Sequence, residues 1–324
     1  MLKYRVIFGL LFGALFIVLI GLDTHFSRNW PMGAYSTPRG SFVALGCLVV
    51  IPIALREMQR LLASENVTIS MRITVVASLL CMIWPWIEQV SESVAEMHAT
   101  IEHSASIDPT TRSTELHTLE ATPWYRISQS GRTVKPHYLI PTVLAVSLVA
   151  AVVMHSRKHR VEGAMANAGG TLLAIVYLGV LPGFFLPICM THSAWMMLAI
   201  VCIVKCADIG AYTAGHMMGR HKLIPWLSPG KTVEGFIGGL AFSGAIGAAA
   251  AVIFHFTWEQ GLVAGILLGA VGQLGDLLES LLKRDAGVKD SGTVPGFGGV
   301  LDILDSPLLA APVAYWLLKL IAKA

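Results

Sequence analysis

Charged residues are scarce in this sequence. Asp, Glu, Lys and Arg together make up only 13% of its 324 residues, whereas 55% are hydrophobic. Soluble domains carry about 25% charged residues, so this composition excludes an ordinary soluble domain. The formal net charge of +3 is also too small to indicate a nucleic-acid partner.

Cysteine motifs, internal repeats and low-complexity tracts are absent as well. The five cysteines all lie in or at the edge of apolar stretches, and no Cys-x-x-Cys motif or Cys/His ligand spacing occurs. A cysteine in such surroundings behaves as a small apolar side chain. We therefore interpret these residues as part of the packing of helices and not as metal ligands.

Long apolar runs are abundant. Most of them approach the roughly 20 residues that a helix needs to cross the hydrocarbon core of a bilayer, and runs this continuous exclude a β-barrel. We predict an all-α, polytopic integral membrane protein with about nine transmembrane helices. The first run is too long for a signal peptide and no cleavage motif follows it, so we interpret it as a membrane helix. The runs are 6–22, 41–55, 73–87, 137–154, 169–190, 194–218, 236–256, 261–274 and 307–321.

Lysine and arginine are unevenly shared between the two sides of this predicted membrane protein. With nine spans, the side that holds the amino terminus and the even-numbered connections carries 14 of them, and the other side carries eight. The positive-inside rule places the former side in the cytoplasm. We divide the chain into amino-terminal membrane helices at 1–190, with an extracytoplasmic loop at 88–136, and a candidate catalytic membrane region at 191–324 with cytoplasmic loops.

Two charged residues lie inside the predicted sixth span. Lys205 and Asp208 are three positions apart, so they share one face of a helix. Charges at membrane depth are rare and usually face a cavity or a partner. One interpretation is a structural Lys–Asp pair beside small residues that pack helices together. The other is that both residues line a polar cavity that binds a ligand.

A second polar cluster, SPGKTVEG, follows at 228–235. Ser228 or Thr232 is placed to cap the next helix, with Glu234 in its first turn. The free N–H groups of a glycine-containing loop at a helix N-terminus form an anion site, and Lys231 adds a positive charge. The Gly-Lys-Thr triplet lacks the glycine spacing and the preceding strand of a Walker loop, so a Walker-type NTPase is excluded.

The third polar stretch, 276–305, joins the last two predicted spans. Asp276, Glu279 and Lys283 recur at spacings of three and four on one face of a helix, and Asp302 and Asp305 share a face of the next. Carboxylates are oxygen ligands for Mg²⁺, and Lys and Arg are partners for phosphates. The stretch therefore indicates a Mg²⁺-dependent phosphate site. Its other polar or conformationally free residues are Ser280, Arg284, Lys289, Asp290, Gly298 and Gly299.

The segment SLLKRDAGVKDSGTVPGFGGVLDILDS, residues 280–306, resembles the signature of phosphatidate cytidylyltransferases, also called CDP-diacylglycerol synthases. It has the Ser, Lys-Arg, Lys-Asp, Pro-Gly, Gly-Gly and paired Asp of that signature in the same order. The upstream stretch KCADIGAYTAG…GR…LSPGKTVEG is similar to a second block of the family, so the resemblance covers about residues 205–306. The motif REMQRLL at 56–62 is a weaker match.

The resemblance implies the reaction CTP + phosphatidate → CDP-diacylglycerol + pyrophosphate, with Mg²⁺ as cofactor. It implies a role in phospholipid biosynthesis in the bacterial cytoplasmic (inner) membrane, with the site facing the cytoplasm. The implied metal ligands are Asp276, Asp302, Asp305 and Glu279. The implied catalytic residues are Lys283, Arg284, Lys289, Asp290, Lys231 and Ser280. The implied substrate-binding residues are Lys205, Asp208, Ser228, Thr232, Glu234, Gly298 and Gly299.

Two residues depart from the family's pattern, since Phe297 stands where the family usually has His and Ile303 where it usually has Arg. An inactive relative is therefore one alternative, and an enzyme acting on another lipid phosphate is a second. A membrane transporter would also place Lys205 and Asp208 inside a helix, but it would not need a glycine-rich loop with clustered acids at the membrane interface. The sequence leaves open the choice between monomer and homodimer.

Overall fold

The structure, a computed structural model, describes residues 2–28, 37–104, 108–126, 128, 138–156, 161–292 and 298–322, with side chains from residue 13 onward. Most of these residues are helical. The helices are α1 (Leu2–Phe26), α2 (Ser41–Ser64), α3 (Met71–His103), α4 (Pro109–Glu120), α5 (Leu139–Ser156), α6 (Ala164–Ile175), α7 (Leu181–Gly183), α8 (Phe185–Thr191), α9 (Ala194–Met218), α10 (Val233–Ile253), α11 (Trp258–Asp285) and α12 (Leu301–Ile321). A π-helical turn at Val176–Val180 joins α6 to α7, and the strands β1 (Lys222–Ile224) and β2 (Ser228–Thr232) lie between α9 and α10.

The apolar runs of the sequence become membrane-crossing helices. Within the described residues, eight segments are long and apolar enough to span a membrane, and Gly13–Phe26 of α1 is a shorter apolar helix. The span Ala164–Thr191 is made of α6, the π-helical turn, α7 and α8 together. These nine segments correspond to the nine predicted runs. The prediction of an all-α, polytopic membrane protein with about nine such helices is therefore confirmed.

Most of the described part of 88–136 is helical. Helix α3 continues to His103, and α4 begins after Asp108, whose carboxylate accepts a hydrogen bond from the N–H of Thr110 at 3.0 Å. Val94, Ile101 and Leu119 are buried together between these two helices. The helical spacing of the apolar residues in α3 thus extends beyond the membrane run, and α4 packs against this extension.

Helices α9, α10 and α11 pack through small residues. A Cβ added to Gly247 on α10 would lie 2.8 Å from the Cα of Gly265 on α11, and one added to Gly265 would lie 3.0 Å from the Cα of Gly244. Between apolar helices in lipid, close backbone approach of this kind is a main source of association. The glycines therefore hold α11, which carries much of the polar site, tightly against its neighbour.

A short antiparallel hairpin separates α9 from α10, with Lys222 opposite Thr232 and Ile224 opposite Ser228. Thr232 ends β2 and caps α10, since its hydroxyl accepts a hydrogen bond from the N–H of Gly235 at 3.1 Å. The sequence predicts a cap by Ser228 or Thr232, and the structure assigns it to Thr232. It does not predict the hairpin, in which Lys231 lies just before the cap.

Candidate functional site

The polar stretches meet where the carboxyl-terminal half of α11 faces the start of α12. Asp276, Glu279 and Lys283 lie along one face of α11, as their spacing predicts. Asp305 comes from the second turn of α12. Lys205 reaches the same place from α9, and Lys231 and Asp302 complete the group from β2 and the first turn of α12. The site is therefore assembled from elements that all lie after residue 190.

Three of the carboxylates form a compact acidic group. Asp276, Glu279 and Asp305 each offer an oxygen, and these atoms all lie within 4.8 Å of one another. Glu279 is fully buried, and its Oε1 atom has no hydrogen-bond partner among the described residues. A buried carboxylate oxygen without a partner is costly unless a cation or donor occupies the space beside it. This set of hard oxygen donors therefore fits Mg²⁺.

Two lysines form ion pairs with different members of the acidic group. The Nζ atom of Lys231 lies 2.6 Å from a carboxylate oxygen of Asp276. The Nζ atom of Lys205 lies 3.0 Å from Asp305 and 3.7 Å from Asp208. The predicted pair of Lys205 and Asp208 is thus part of a larger network that includes α12. Its charges are shared with the acidic group and do not form an isolated structural pair.

A third lysine bridges the two helices. Lys283 Nζ donates to Glu279 Oε2 at 2.8 Å and to Asp302 Oδ1 at 2.7 Å. The other oxygen of Asp302 accepts hydrogen bonds from the N–H groups of Ser291 at 3.2 Å and Gly299 at 2.6 Å. Both carboxylate oxygens of Asp302 therefore accept hydrogen bonds, one from Lys283 and the other from the connecting loop. Asp302 is not a member of the compact acidic group.

The glycines of this loop allow its close approach to Asp302. Gly298 has a φ of +86°, and a Cβ at this position would overlap a carboxylate oxygen of Asp302. A side chain is disfavoured there both by the left-handed backbone and by the contact. The family resemblance implies that Gly298 and Gly299 bind substrate. The structure shows them beside Asp302, and their contact with a ligand stays a prediction.

The polar residues of 228–235 are engaged in the junction between the hairpin and α10. The Glu234 carboxylate accepts hydrogen bonds from the N–H groups of Arg220 at 3.1 Å and His221 at 3.2 Å, and lies 2.6 Å from the His221 ring. Thr232 is used as the cap. Ser228 pairs with Ile224 across the hairpin. Within this cluster, Lys231 alone is brought against the acidic group.

The remaining predicted residues are not members of the compact acidic group. Arg284, Lys289 and Asp290 are exposed, and no ion pair is formed by them within the described residues. Ser280 is half-buried on α11, and Ile303 is half-buried on α12. Phe297 lies outside the described residues. The exposed basic side chains of Arg284 and Lys289 are accessible to a ligand.

Glu57 is the residue that sequence reasoning missed. It lies on α2 and is only 5% exposed, yet its carboxylate reaches the start of α12. The signal was present, because a Glu inside an otherwise apolar helix needs a partner. The motif around it, REMQRLL, was noted only as a weak match, and no contact with the loop more than two hundred residues later is visible in the sequence.

Comparison with known proteins finds both a matching family and similar named proteins. The model of the Cytidylyltransferase family matches residues 32–321. A phosphatidate cytidylyltransferase of Staphylococcus aureus (strain COL) is 36% identical over 196 residues, which are 60% of this chain and 70% of that protein. Proteins of the same name from Staphylococcus saprophyticus and Synechocystis are 41% identical over 152 residues and 47% identical over 128 residues. The alignment with the Staphylococcus saprophyticus protein covers 45% of this chain and 57% of that protein. The alignment with the Synechocystis protein covers 39% of this chain and 43% of that protein.

Proposed function

Because this chain belongs to the cytidylyltransferase family and is a nucleotidyltransferase, we propose that it transfers CMP from CTP to phosphatidate in the membrane, giving CDP-diacylglycerol and pyrophosphate. The names of its relatives support phosphatidate as the acceptor. The observation that carries the proposal is the compact acidic group of Asp276, Glu279 and Asp305 with a lysine against each of its members. Such a group suits a polyphosphate and its metal ion.

Asp276, Glu279 and Asp305 would hold Mg²⁺, which when bound supplies positive charge to the triphosphate and polarises its phosphorus–oxygen bonds. Carboxylates alone would repel CTP. The exposed Arg284 and Lys289 offer charge-assisted hydrogen bonds to phosphate oxygens at the entrance. The chain therefore provides both the anionic ligands for the metal and the cationic partners for the nucleotide.

The chemistry needs no protein general base. A phosphate monoester has a second pKa of about 6, so the phosphate of phosphatidate is already an anionic nucleophile at neutral pH. Its oxygen forms a bond to the α-phosphorus of CTP, and the bond from that phosphorus to the bridging oxygen of the β-phosphate breaks, so that pyrophosphate leaves. Positioning and charge neutralisation then supply most of the rate enhancement.

The lysines would exchange partners when the nucleotide binds. Lys231 and Lys205 are held against Asp276 and Asp305 at 2.6 and 3.0 Å. With a metal ion held by these carboxylates, the ammonium groups would be available to bind the phosphates of CTP or of the lipid. Lys283 keeps two carboxylate partners, Glu279 and Asp302, and is placed to hold α11 and α12 together beside the reacting phosphates.

The site would open to the cytoplasm. The acidic group lies near the carboxyl-terminal end of α11 and the amino-terminal end of α12, on the side of the membrane to which the positive-inside rule assigns the cytoplasm. CTP is then available from the aqueous side, and phosphatidate from the adjoining leaflet. In a bacterium this membrane is the cytoplasmic (inner) membrane.

A comparison of acceptor lipids tests the proposal. Purified protein in detergent would be incubated with Mg²⁺ and CTP labelled in the cytosine ring, together with phosphatidate or with an isoprenoid monophosphate. We expect label in the organic phase with phosphatidate and at least about tenfold less with the isoprenoid lipid. The phosphate is attached to diacylglycerol in the first lipid and to an isoprenoid chain in the second, so a site that fits one fits the other less well. Preferential labelling of the isoprenoid lipid, or no labelled lipid at all, would refute phosphatidate as the acceptor.

A further inference from the structure

Glu57 carries a buried charge that the proposed reaction does not use. It belongs to α2, in the amino-terminal half of the chain, and is 5% exposed. Burying a carboxylate costs several kcal/mol unless hydrogen bonds or a counter-charge compensate it. Within the described residues no lysine or arginine forms an ion pair with Glu57, so its charge is balanced in another way.

The compensation comes from the connection between α11 and α12. Glu57 Oε1 accepts a hydrogen bond from the N–H of Val300 at 3.0 Å, and Oε2 accepts one from the N–H of Leu301 at 2.9 Å. Oε2 also accepts a hydrogen bond from the Ser291 hydroxyl at 3.1 Å. The two N–H groups belong to the unpaired amino-terminal turn of α12, where the helix dipole favours a negative charge.

Two glycines allow the parts of this junction to pack closely, because a side chain at either position would overlap its neighbours. A Cβ on Gly292 would lie 2.5 Å from Glu57 Oε1 and 2.9 Å from the Cα of Gly299. A Cβ on Gly299 would overlap Glu57 Oε2 and the Ser291 hydroxyl. The carboxylate, the loop at 291–292 and the start of α12 therefore fit together with no room for a larger residue.

This junction adjoins the proposed catalytic groups. Ser291 and Gly299, which contact Glu57, also donate their N–H groups to Asp302. Asp302 in turn accepts a hydrogen bond from Lys283. We propose that Glu57 is a positioning residue for the nucleotidyl transfer, which fixes the loop and the start of α12 so that Asp302 holds Lys283 beside the acidic group. This inference rests on the proposed function.

A matched pair of variants distinguishes a positioning role of Glu57 from a general contribution to the stability of the fold. Asp23 on α1 is also a buried carboxylate, 1% exposed, and it accepts hydrogen bonds from the N–H groups of Gly40 at 2.9 Å and Phe42 at 3.1 Å at the start of α2. Glu57→Gln and Asp23→Asn each replace one buried carboxylate oxygen, which accepts hydrogen bonds, by an NH₂ donor. Only the first acts at the junction beside Asp302. Glu57→Asp, which keeps the charge on a shorter side chain, serves if Glu57→Gln does not fold.

The experiment measures kcat and KM of each folded variant, together with hydrogen exchange of the peptide 298–306 without substrates. For Glu57→Gln we expect kcat to fall by about 10- to 100-fold, because misplacement of catalytic groups by about 1 Å has effects of this size. Exchange at 298–306 should be faster, and KM for CTP should change little. Glu57→Asp should show an intermediate kcat, and Asp23→Asn should retain kcat within about threefold.

Three results would overturn the assignment. The first is an unchanged kcat in Glu57→Gln, or in Glu57→Asp where only that variant folds. The second is an equal fall of kcat in Asp23→Asn. The third is a rise in KM for CTP at constant kcat, which would make Glu57 a binding residue. If the unmodified protein forms no CDP-diacylglycerol, the proposed reaction fails, and the exchange measurement still decides whether Glu57 orders 298–306.

Discussion

Asp305 connects the lysine of α9 to the compact acidic group. Its Oδ1 accepts hydrogen bonds from Lys205 at 3.0 Å, from the Ser306 N–H at 2.6 Å and from the Ser306 hydroxyl at 3.1 Å. It is also a member of the compact acidic group. A single carboxylate thus joins the lysine of α9 to the proposed metal ligands, so its negative charge should be essential.

We expect Asp305→Asn to lower kcat at least about 100-fold, because loss of a preorganised charge in an active site typically costs this much. Asp285→Asn is the control, since Asp285 is an exposed carboxylate at the end of α11. Initial rates of CDP-diacylglycerol formation would be compared over a range of Mg²⁺ concentrations. Full activity of Asp305→Asn at ordinary Mg²⁺ would remove this residue from the site.

Alanine variants of two glycines with positive φ distinguish the effect of backbone strain from the effect of contact with Asp302. Gly287 has a φ of +67° and open space where a Cβ would lie, whereas Gly298 has a φ of +86° and lies against the Asp302 carboxylate. Alanine at either position costs about 1–2 kcal/mol of backbone strain. We expect Gly298→Ala to lose at least about 30-fold in kcat through displacement of Asp302, and Gly287→Ala to lose less than about threefold. Equal rates for the two variants would show that the contact with Asp302 has no catalytic importance.

Sequence spacing predicted that Asp276, Glu279 and Lys283 share one helix face, because this depends only on the geometry of α11. It did not separate Asp302 from Asp305. Their different environments are set by Lys283, Lys205 and the backbone of the loop. Glu57 could not be assigned, since its partners Val300 and Leu301 are 243 and 244 residues away in the chain.

At the scale of elements, the packing of α10 against α11 is a condition for the site. Gly261 and Gly265 of α11 both approach backbone atoms of α10, and a Cβ on either would overlap them. Helix α11 presents Asp276 and Glu279 only if it keeps this position.

The apolar runs predicted such helices well, because composition alone distinguishes a membrane span. The hairpin of β1 and β2 was missed because its second strand, SPGKT, contains Pro and Gly and has no alternating pattern.

Substitution of one packing glycine tests this interface. We expect Gly265→Ala to lower the midpoint of thermal unfolding in detergent by several degrees, because overpacking costs about 1–3 kcal/mol. Gly169→Ala on α6 is the control, since a Cβ there meets nothing within 4 Å and alanine is the better helix former. A midpoint for Gly265→Ala at or above that of the unmodified protein would contradict the packing described for α10 and α11.

On the scale of the whole molecule, the orientation in the membrane decides whether the site meets CTP. The loop after α11 and the helix α4 lie on opposite sides of the bilayer in the topology derived from the positive-inside rule. In a variant without the five native cysteines, Gly287→Cys should react with an impermeant maleimide only from the cytoplasmic side, and Thr110→Cys only from the outside. Labelling in the opposite pattern would place the acidic group away from the nucleotide and overturn the proposed function.

The fate of the CTP phosphates tests the central claim most directly. Parallel reactions with Mg²⁺ and phosphatidate would contain CTP labelled with ³²P at either the α- or the γ-phosphate. Attack of the lipid phosphate on the α-phosphorus predicts that α-label enters the chloroform-soluble lipid, that γ-label is recovered as pyrophosphate, and that Asp276→Asn abolishes both. Transfer of γ-label to the lipid would indicate a kinase, and release of label without a labelled lipid would indicate hydrolysis. Either result would contradict the proposed transfer of CMP from CTP to phosphatidate.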